Sequence, residues 1–358
     1  MRKRIPFLKR TVRWLIAWIA YYSGLLTIWR RIIGDRGPIM LAYHRVLDDG
    51  NGEGDLSPPG TVVSLRAFRE QMEYLKRNYD VVSLEELLRR KKEGRAIGHV
   101  AAVTFDDGWR DVYSNAYPIL LKYGIPATVF LVTQYVGTTQ WFWPEKIVYV
   151  LTRGRNRQIS IPESMRKCLG TDAGYLRTPV EIDQIGTIIE HLKSLGACER
   201  ESITRYLTEE ANVGMGELET KRMLLGWEEV EEMANNGISF GSHSQTHCIL
   251  TQVPVERARS EIRDSRKEVE VRLGKPCLTF AYPNGDWNEQ VRRIVVESNY
   301  ECACSLSTTL CSSGMDFYSM TRRVVHEGFA AGINGKFSKC VFAAQIAGLM
   351  RPPVSCLM

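Results

Sequence analysis

From Ile39 onward, short apolar runs alternate with stretches whose apolar positions recur every three or four residues, which predicts parallel strands joined by helices. The runs fall at 39–43, 100–105, 127–132, 238–240, 278–282, 302–306 and 323–325. The run at 100–105 lacks the regular alternation of a sheet wetted on one side, so it is expected to be buried on both faces. The helical stretches fall at 65–78, 84–92, 111–122, 227–235, 254–273 and 288–298. Ser83 and Gly274 are placed as caps, and Pro118 is an irregularity inside the third. An α/β fold follows, a distorted (β/α) barrel of about seven parallel strands over residues 36–335. The strand rhythm stops between 137 and 226, where a helical insertion is expected, and 336–358 reads as a peripheral C-terminal tail.

The N-terminus departs from this rhythm. Trp14 to Trp29 is an uncharged run, flanked by Arg2, Lys3, Arg4, Lys9, Arg10 and Arg13 on one side and by Arg30, Arg31 and Arg36 on the other. Residues 1–35 are therefore expected to form a basic N-terminus and a membrane-associated helix. At ~1.5 Å per residue such a helix reaches only ~24 Å against a ~30 Å hydrocarbon core, so lying in the headgroup plane is the alternative to spanning. No small-x-small cleavage site precedes Arg30. The net charge of +6 is concentrated in this segment, which points to anionic lipid as a partner and away from nucleic acid. The expected location is a bacterial-type inner membrane, with the side of the catalytic domain left open. Positive charge ahead of the apolar run favours an outward domain, whereas nine cysteines scattered through core elements, without a Cys-x2-Cys pair, resemble a chain kept reduced.

Two stretches carry chemistry. Val103-Thr-Phe-Asp-Asp-Gly108 ends a buried run with paired carboxylates and a glycine that permits a turn. Some 135 residues later, Phe240-Gly-Ser-His-Ser-Gln-Thr-His247 follows another short run and presents two histidines four apart, a spacing that lets two imidazoles reach one ion. With one strand-end aspartate they make a three-ligand set that leaves positions open for water and substrate.

Together these stretches resemble the polysaccharide deacetylase family, the NodB-homology carbohydrate esterases, over residues 38–330. The resemblance implies Asp106 as general base, with Asp107, His243 and His247 as ligands of a divalent metal, zinc fitting that set best. Phe280-Ala-Tyr-Pro-Asn-Gly-Asp286 is similar to the Tyr-Pro-x-Gly motif of one branch, which makes Tyr282, Pro283 and Asn284 candidates for substrate binding. The commoner branch has an arginine at the position of Ala281 that steadies the basic aspartate, so Arg322 or Arg323 is expected to replace it. The family's late Leu-x-His is also missing from Met320-Thr-Arg-Arg-Val-Val-His326. Ile39-Met-Leu-Ala-Tyr-His-Arg-Val46 is similar to the opening strand of the permuted poly-N-acetylglucosamine deacetylases, which implies His44 as the general acid, with His326 as the alternative.

The implied activity is metal-dependent removal of N-acetyl groups from amino sugars of a polysaccharide or lipid-linked glycan. Trp141, opening the insertion, is a candidate to stack on a sugar face. The alternatives are an O-acetyl esterase acting on a glycan, or a catalytically idle membrane-bound glycan-binding protein. A retained Asp106, which ligates no metal in the family scheme, speaks against the idle form.

Overall fold

The structure is a computed structural model and describes residues 7–32, 37–48, 56–154, 157–213, 216, 220–307 and 316–350. Arg2, Lys3, Arg4, Arg36 and residues 351–358 of the tail lie outside the described residues. The strands in chain order are β1 (Ile39–Tyr43), β2 (Arg45–Leu47), β3 (Val62–Ser64), β4 (Asp80–Val81), β5 (Val100–Phe105), β6 (Ala127–Leu131), β7 (Gln158–Ser160), β8 (Tyr175–Arg177), β9 (Ile238–Ser242), β10 (Thr279–Ala281), β11 (Cys302–Leu306) and β12 (Met320–Val324). The helices are α1 (Phe7–Tyr22), α2 (Leu25–Ile32), α3 (Leu65–Asn78), α4 (Leu84–Lys92), α5 (Tyr117–Tyr123), α6 (Trp143–Arg153), α7 (Glu163–Arg166), α8 (Ile182–Lys193), α9 (Ala197–Ala211), α10 (Trp227–Asn235), α11 (Val255–Leu273), α12 (Glu289–Glu297) and α13 (Lys339–Ile346).

The order β1-β12-β11-β10-β9-β6-β5 is parallel throughout, and β5 pairs back onto β1 in the register Leu41↔Val103, which closes a seven-stranded barrel. Side chains alternate between its two faces. Met40, Ala102, Phe130, Ala281, Cys302, Cys304 and Met320 share one apolar cluster within the barrel, joined by Leu84, Leu87 and Leu88 of α4. Their partners in alternation, such as Leu41, Tyr43, Val103 and Phe105, belong to the larger cluster beneath the helices. Mostly small interior side chains suit a barrel of this strand number. The seven described cysteines are free thiols.

The caps expected from the sequence form as local chemistry requires. Ser83 Oγ accepts the Glu86 N–H at 3.2 Å, and Gly274 ends α11 with φ +61°. Pro118 falls in the first turn of α5, where no intrahelical donor is needed, and a π-helical turn over Val112–Ala116 precedes it.

The insertion carries helices α6 to α9, with β7 and β8 pairing as an antiparallel ribbon between α6 and α8. Two expectations change. The N-terminal run is not one membrane-spanning helix. It breaks at Ser23–Gly24, with Gly24 at φ +80°, and among the described residues no helix is long and apolar enough to cross a membrane. The tail is not peripheral as far as it is described, since every residue of α13 from Cys340 to Ile346 is buried. That helix packs against both α1 and α3, and the Trp29 indole N–H donates to the Ala347 carbonyl at 3.1 Å.

Candidate active site

In a parallel barrel all strands end on one rim, and this rim gathers the sequence candidates. His44 follows β1, Asp106 and Asp107 follow β5, His243 follows β9 and Asn284 follows β10. The Asp106 N–H donates to the Tyr43 carbonyl at 2.9 Å, which fixes the ends of β1 and β5 side by side.

Backbone geometry separates the two adjacent aspartates. Asp107 adopts φ +72° and Gly108 φ +74°, a left-handed pair that a non-glycine residue rarely enters. A Cβ at Gly108 would also lie 2.9 Å from Leu131 Cδ2. Asp106 continues the inward parity of Ala102 and Thr104, whereas the turn swings the Asp107 carboxylate toward the two histidines.

Arg322, inward-facing on β12, donates from Nη1 and Nη2 to Asp106 Oδ1 and Oδ2 at 2.6 and 2.9 Å, and Nη1 also reaches Thr104 Oγ1 at 2.9 Å. The pair is sealed from solvent, Arg322 being 0% and Asp106 1% exposed. Burial alone would raise the Asp106 pKa, but the charges of Arg322, His243 and His44 prevail and hold it below the usual carboxylate value. Arg323, one residue on, faces the other way and donates to the Gln345 carbonyl of α13.

His243 donates from Nδ1 to the Ala281 carbonyl at 2.7 Å, leaving Nε2 as a lone-pair donor toward Asp107, 3.6 Å away. Burial pushes its pKa down to about 4, so the neutral, ligating form prevails. His247 Nε2 lies 3.2 Å from Asp107 Oδ1. Asp107 Oδ2 accepts the Trp109 indole N–H at 2.9 Å, while Oδ1 is buried without a formed hydrogen bond among the described residues. Burial opposes ionisation of Asp107, but His247, His44 and His243 together hold its pKa well below the usual range.

The ligand atoms of Asp107, His243 and His247 lie within 4.8 Å of one another. An orphaned carboxylate oxygen facing two imidazole nitrogens is the donor set of a divalent cation, and these residues fit one. The histidine loop is itself braced, since Glu261 of α11 accepts the N–H groups of Gln245 and Thr246 at 2.9 Å each.

His44, Asp106, Asp107, His243, His247 and Asn284 line one pocket, roofed by α6 and α8 of the insertion. Its cavity volume is about 90 Å³. Pro58 and Pro59 line its side; residues 49–55, which precede them, lie outside the described residues. The other candidates stand elsewhere. Tyr282 is fully buried, with its hydroxyl donating to the Tyr318 carbonyl at 2.9 Å, and Pro283 is buried beside it; neither lines the pocket. Trp141 is 5% exposed, edge-on to Tyr149, and borders an adjoining groove with Tyr135 and Trp143 that shares Phe142 and His247 with the pocket. His326 does not line the pocket, and its Nδ1 accepts the Gly328 N–H at 3.1 Å.

Sequence reasoning missed four contributors: Phe142, whose ring lies 5.2 Å from that of His247; Trp109; Glu261; and Glu145, in the pocket's roof. Trp109 sits two residues past Asp107 and could have been suspected from that proximity. Glu145 and Glu261 are acids in amphipathic helices, indistinguishable in sequence from solvated ones.

A family model described as polysaccharide deacetylase matches residues 93–179 and 189–303. The Bacillus subtilis protein YxkH, whose own description as a polysaccharide deacetylase is provisional, is 21% identical over 277 residues, 77% of this chain and 70% of that one. A poly-beta-1,6-N-acetyl-D-glucosamine N-deacetylase of Staphylococcus aureus is 43% identical over 77 residues, a match that spans 21% of this chain and only 26% of the relative's length. Among solved structures, the Streptococcus pyogenes deacetylase PplD superposes with a TM-score of 0.54 at 18% identity, covering 84% of this chain and 96% of that one, a likeness of fold.

Proposed function

This chain belongs to the polysaccharide deacetylase family, and on that premise we propose that it removes N-acetyl groups from amino sugars of a polysaccharide or lipid-linked glycan in a metal-dependent hydrolysis. The observation that carries this reading is the Asp107, His243 and His247 donor cluster beside a separately held Asp106. Zinc suits two imidazoles and one carboxylate. When bound, such an ion polarises the acyl carbonyl and acidifies water. Asp106, kept ionised by Arg322, accepts the proton of the attacking water. His44 faces the same pocket and supplies a proton to the departing sugar nitrogen, which would otherwise leave as an amine anion. Ala281 acts through its carbonyl, holding the His243 tautomer. The test is acetate release by the purified zinc-loaded protein from matched N-acetylated and O-acetylated oligosaccharides. Release from the N-acetylated set is expected, and release confined to the O-acetylated set would establish the esterase instead.

We further propose that α1 and α2 lie in the headgroup plane of an anionic membrane, in keeping with a bacterial-type inner membrane location. On α1 the residues turned toward the body of the protein include the small Ala17 and Ala20, whereas Leu15, Ile16, Trp18, Ile19 and Tyr22 are 43–66% exposed, and Leu25, Ile28 and Ile32 continue the exposed set on α2. A soluble helix would bury its large apolar side chains, so this inverted arrangement supports lipid contact, with Lys9 and Arg31 suited to anionic headgroups. Co-flotation with phosphatidylglycerol vesicles should be lost in the double variant Trp18→Glu, Ile19→Glu. Unchanged flotation would refute the assignment, as would self-association that buries the same face.

A further inference from the structure

Glu145 stands in the first turn of α6, directly after Pro144, and enters the active-site pocket from the roof. It is 5% exposed, and its Oε2 is buried with no hydrogen-bond partner among the described residues. The chemistry proposed above does not use it: it lies outside the three-ligand cluster, and the role of base falls to Asp106. An unpaired buried polar oxygen is costly to hold, a cost that a ligand donor would remove.

The surroundings indicate the class of that donor. Pro144, Ile189 and Pro59 make the neighbouring wall largely apolar, and the polar pair beyond them is already satisfied, Lys193 Nζ lying 3.0 Å from Glu190 Oε1. Burial foremost, then the charge of Asp107, push the Glu145 pKa up to about 8, with its own backbone N–H, Arg45 and Lys193 pulling the other way. A carboxylic acid in this state both donates and accepts, as a hydroxyl does. An ionised carboxylate would instead favour a cation.

Resting on the deacetylase reading of this pocket, we propose that Glu145 is a glycan-positioning residue whose carboxyl pairs with a ring hydroxyl of the sugar that presents its acetyl group to Asp106 and the histidines. The barrel rim then handles the acyl group while the insertion reads the sugar. An insertion without this acid would leave the ring less firmly oriented.

Binding is best measured in the zinc-loaded Asp106→Asn chain, in which turnover is slowed ~10²–10⁴-fold. A β-1,6-linked N-acetylglucosamine tetramer is expected to bind at least ~10-fold more weakly when Glu145→Leu is added, and within about threefold of the parent when Glu145→Gln is added, because the amide keeps a donor and an acceptor. Acetate, which has the acyl part and no ring, should bind all three chains alike, and zinc stoichiometry should not change. If the leucine variant loses zinc or unfolds, monodeoxy tetramers on the Asp106→Asn chain replace it, one of which must show the same ~10-fold loss. Equal affinity for the tetramer in all three chains would overturn the proposal. So would parallel losses in the leucine and glutamine variants with a preference for glucosamine-bearing oligomers, which would mark recognition of an ammonium. Failure of the tetramer to bind the zinc-loaded Asp106→Asn chain at all would instead reject the deacetylase reading, and this assignment with it.

Discussion

Arg322 grips both oxygens of Asp106 from across the intervening strand β1, at 2.6 and 2.9 Å, with neither residue exposed. The contact joins β12 to the end of β5 and supplies the cation that Ala281 cannot. Removing one partner of a buried pair strands the other, at ~3–5 kcal/mol. Arg322→Met is therefore expected to be strongly destabilised, while Arg322→Lys folds but holds Asp106 less firmly. Because Arg322 lowers the Asp106 pKa, its loss raises it. The base is then protonated over a wider acid range, and the acid limb of the kcat/KM profile for Arg322→Lys, which keeps a cation but loses the two-pronged grip, should move to higher pH. An unmoved limb would mean that Asp106 is not the group titrating.

Asp107→Ala, His243→Ala and His247→Ala should each lose bound metal after dialysis, since a three-donor site has none to spare. Asp106→Asn should retain it and lose ~10²–10⁴ in kcat. Metal analysis of the four variants separates the paired aspartates, and metal loss in Asp106→Asn alone would reverse their roles.

Much of this was legible in the sequence. The runs that became β1, β5 and β11 were buried on both faces and could be bounded closely, because only a covered parallel sheet tolerates such continuous apolarity. The division of labour between Asp106 and Asp107 was less so, since it depends on the left-handed turn at Asp107. Arg322 and Arg323 could not be told apart, because neighbouring strand residues point oppositely and parity is set by register across the closed barrel. The aromatic residues opening the insertion illustrate another limit. Trp141 and Phe142 are adjacent and similarly apolar, yet Phe142 borders His247 while Trp141 packs against Tyr149.

His44 lines the pocket and His326 does not, which yields a direct comparison. His44→Ala should lower kcat for amide hydrolysis by ~10² or more, and an acetyl ester with a good leaving group should recover most of the loss because it needs no proton. His326→Ala should have a much smaller effect. The reverse outcome would place the acid at the end of β12.

Glu145 makes stability depend on pH in the metal-free protein. Its folded pKa of about 8 exceeds its ordinary 4.5, so the unfolded chain ionises first. Folded stability is then lost progressively as pH rises from 4.5 to about 8, bounded at ~5 kcal/mol by ~1.4 kcal/mol per pH unit over that interval. Glu145→Gln removes this dependence, so its Tm advantage over the parent, with chelator present, should grow between pH 5 and pH 8. A constant difference would show that the carboxyl ionises freely in the fold.

The proposed activity depends on hydrolysis at the Asp107, His243 and His247 cluster. Its most direct test is acetate release from an N-acetylglucosamine oligomer by chelated protein titrated with zinc, with metal content measured in parallel. Activity should be absent after chelation, return in proportion to zinc up to one ion per chain, and not return in Asp107→Ala. Full activity in protein that analysis shows to be metal-free, or restoration of Asp107→Ala by zinc to the parent rate, would contradict it.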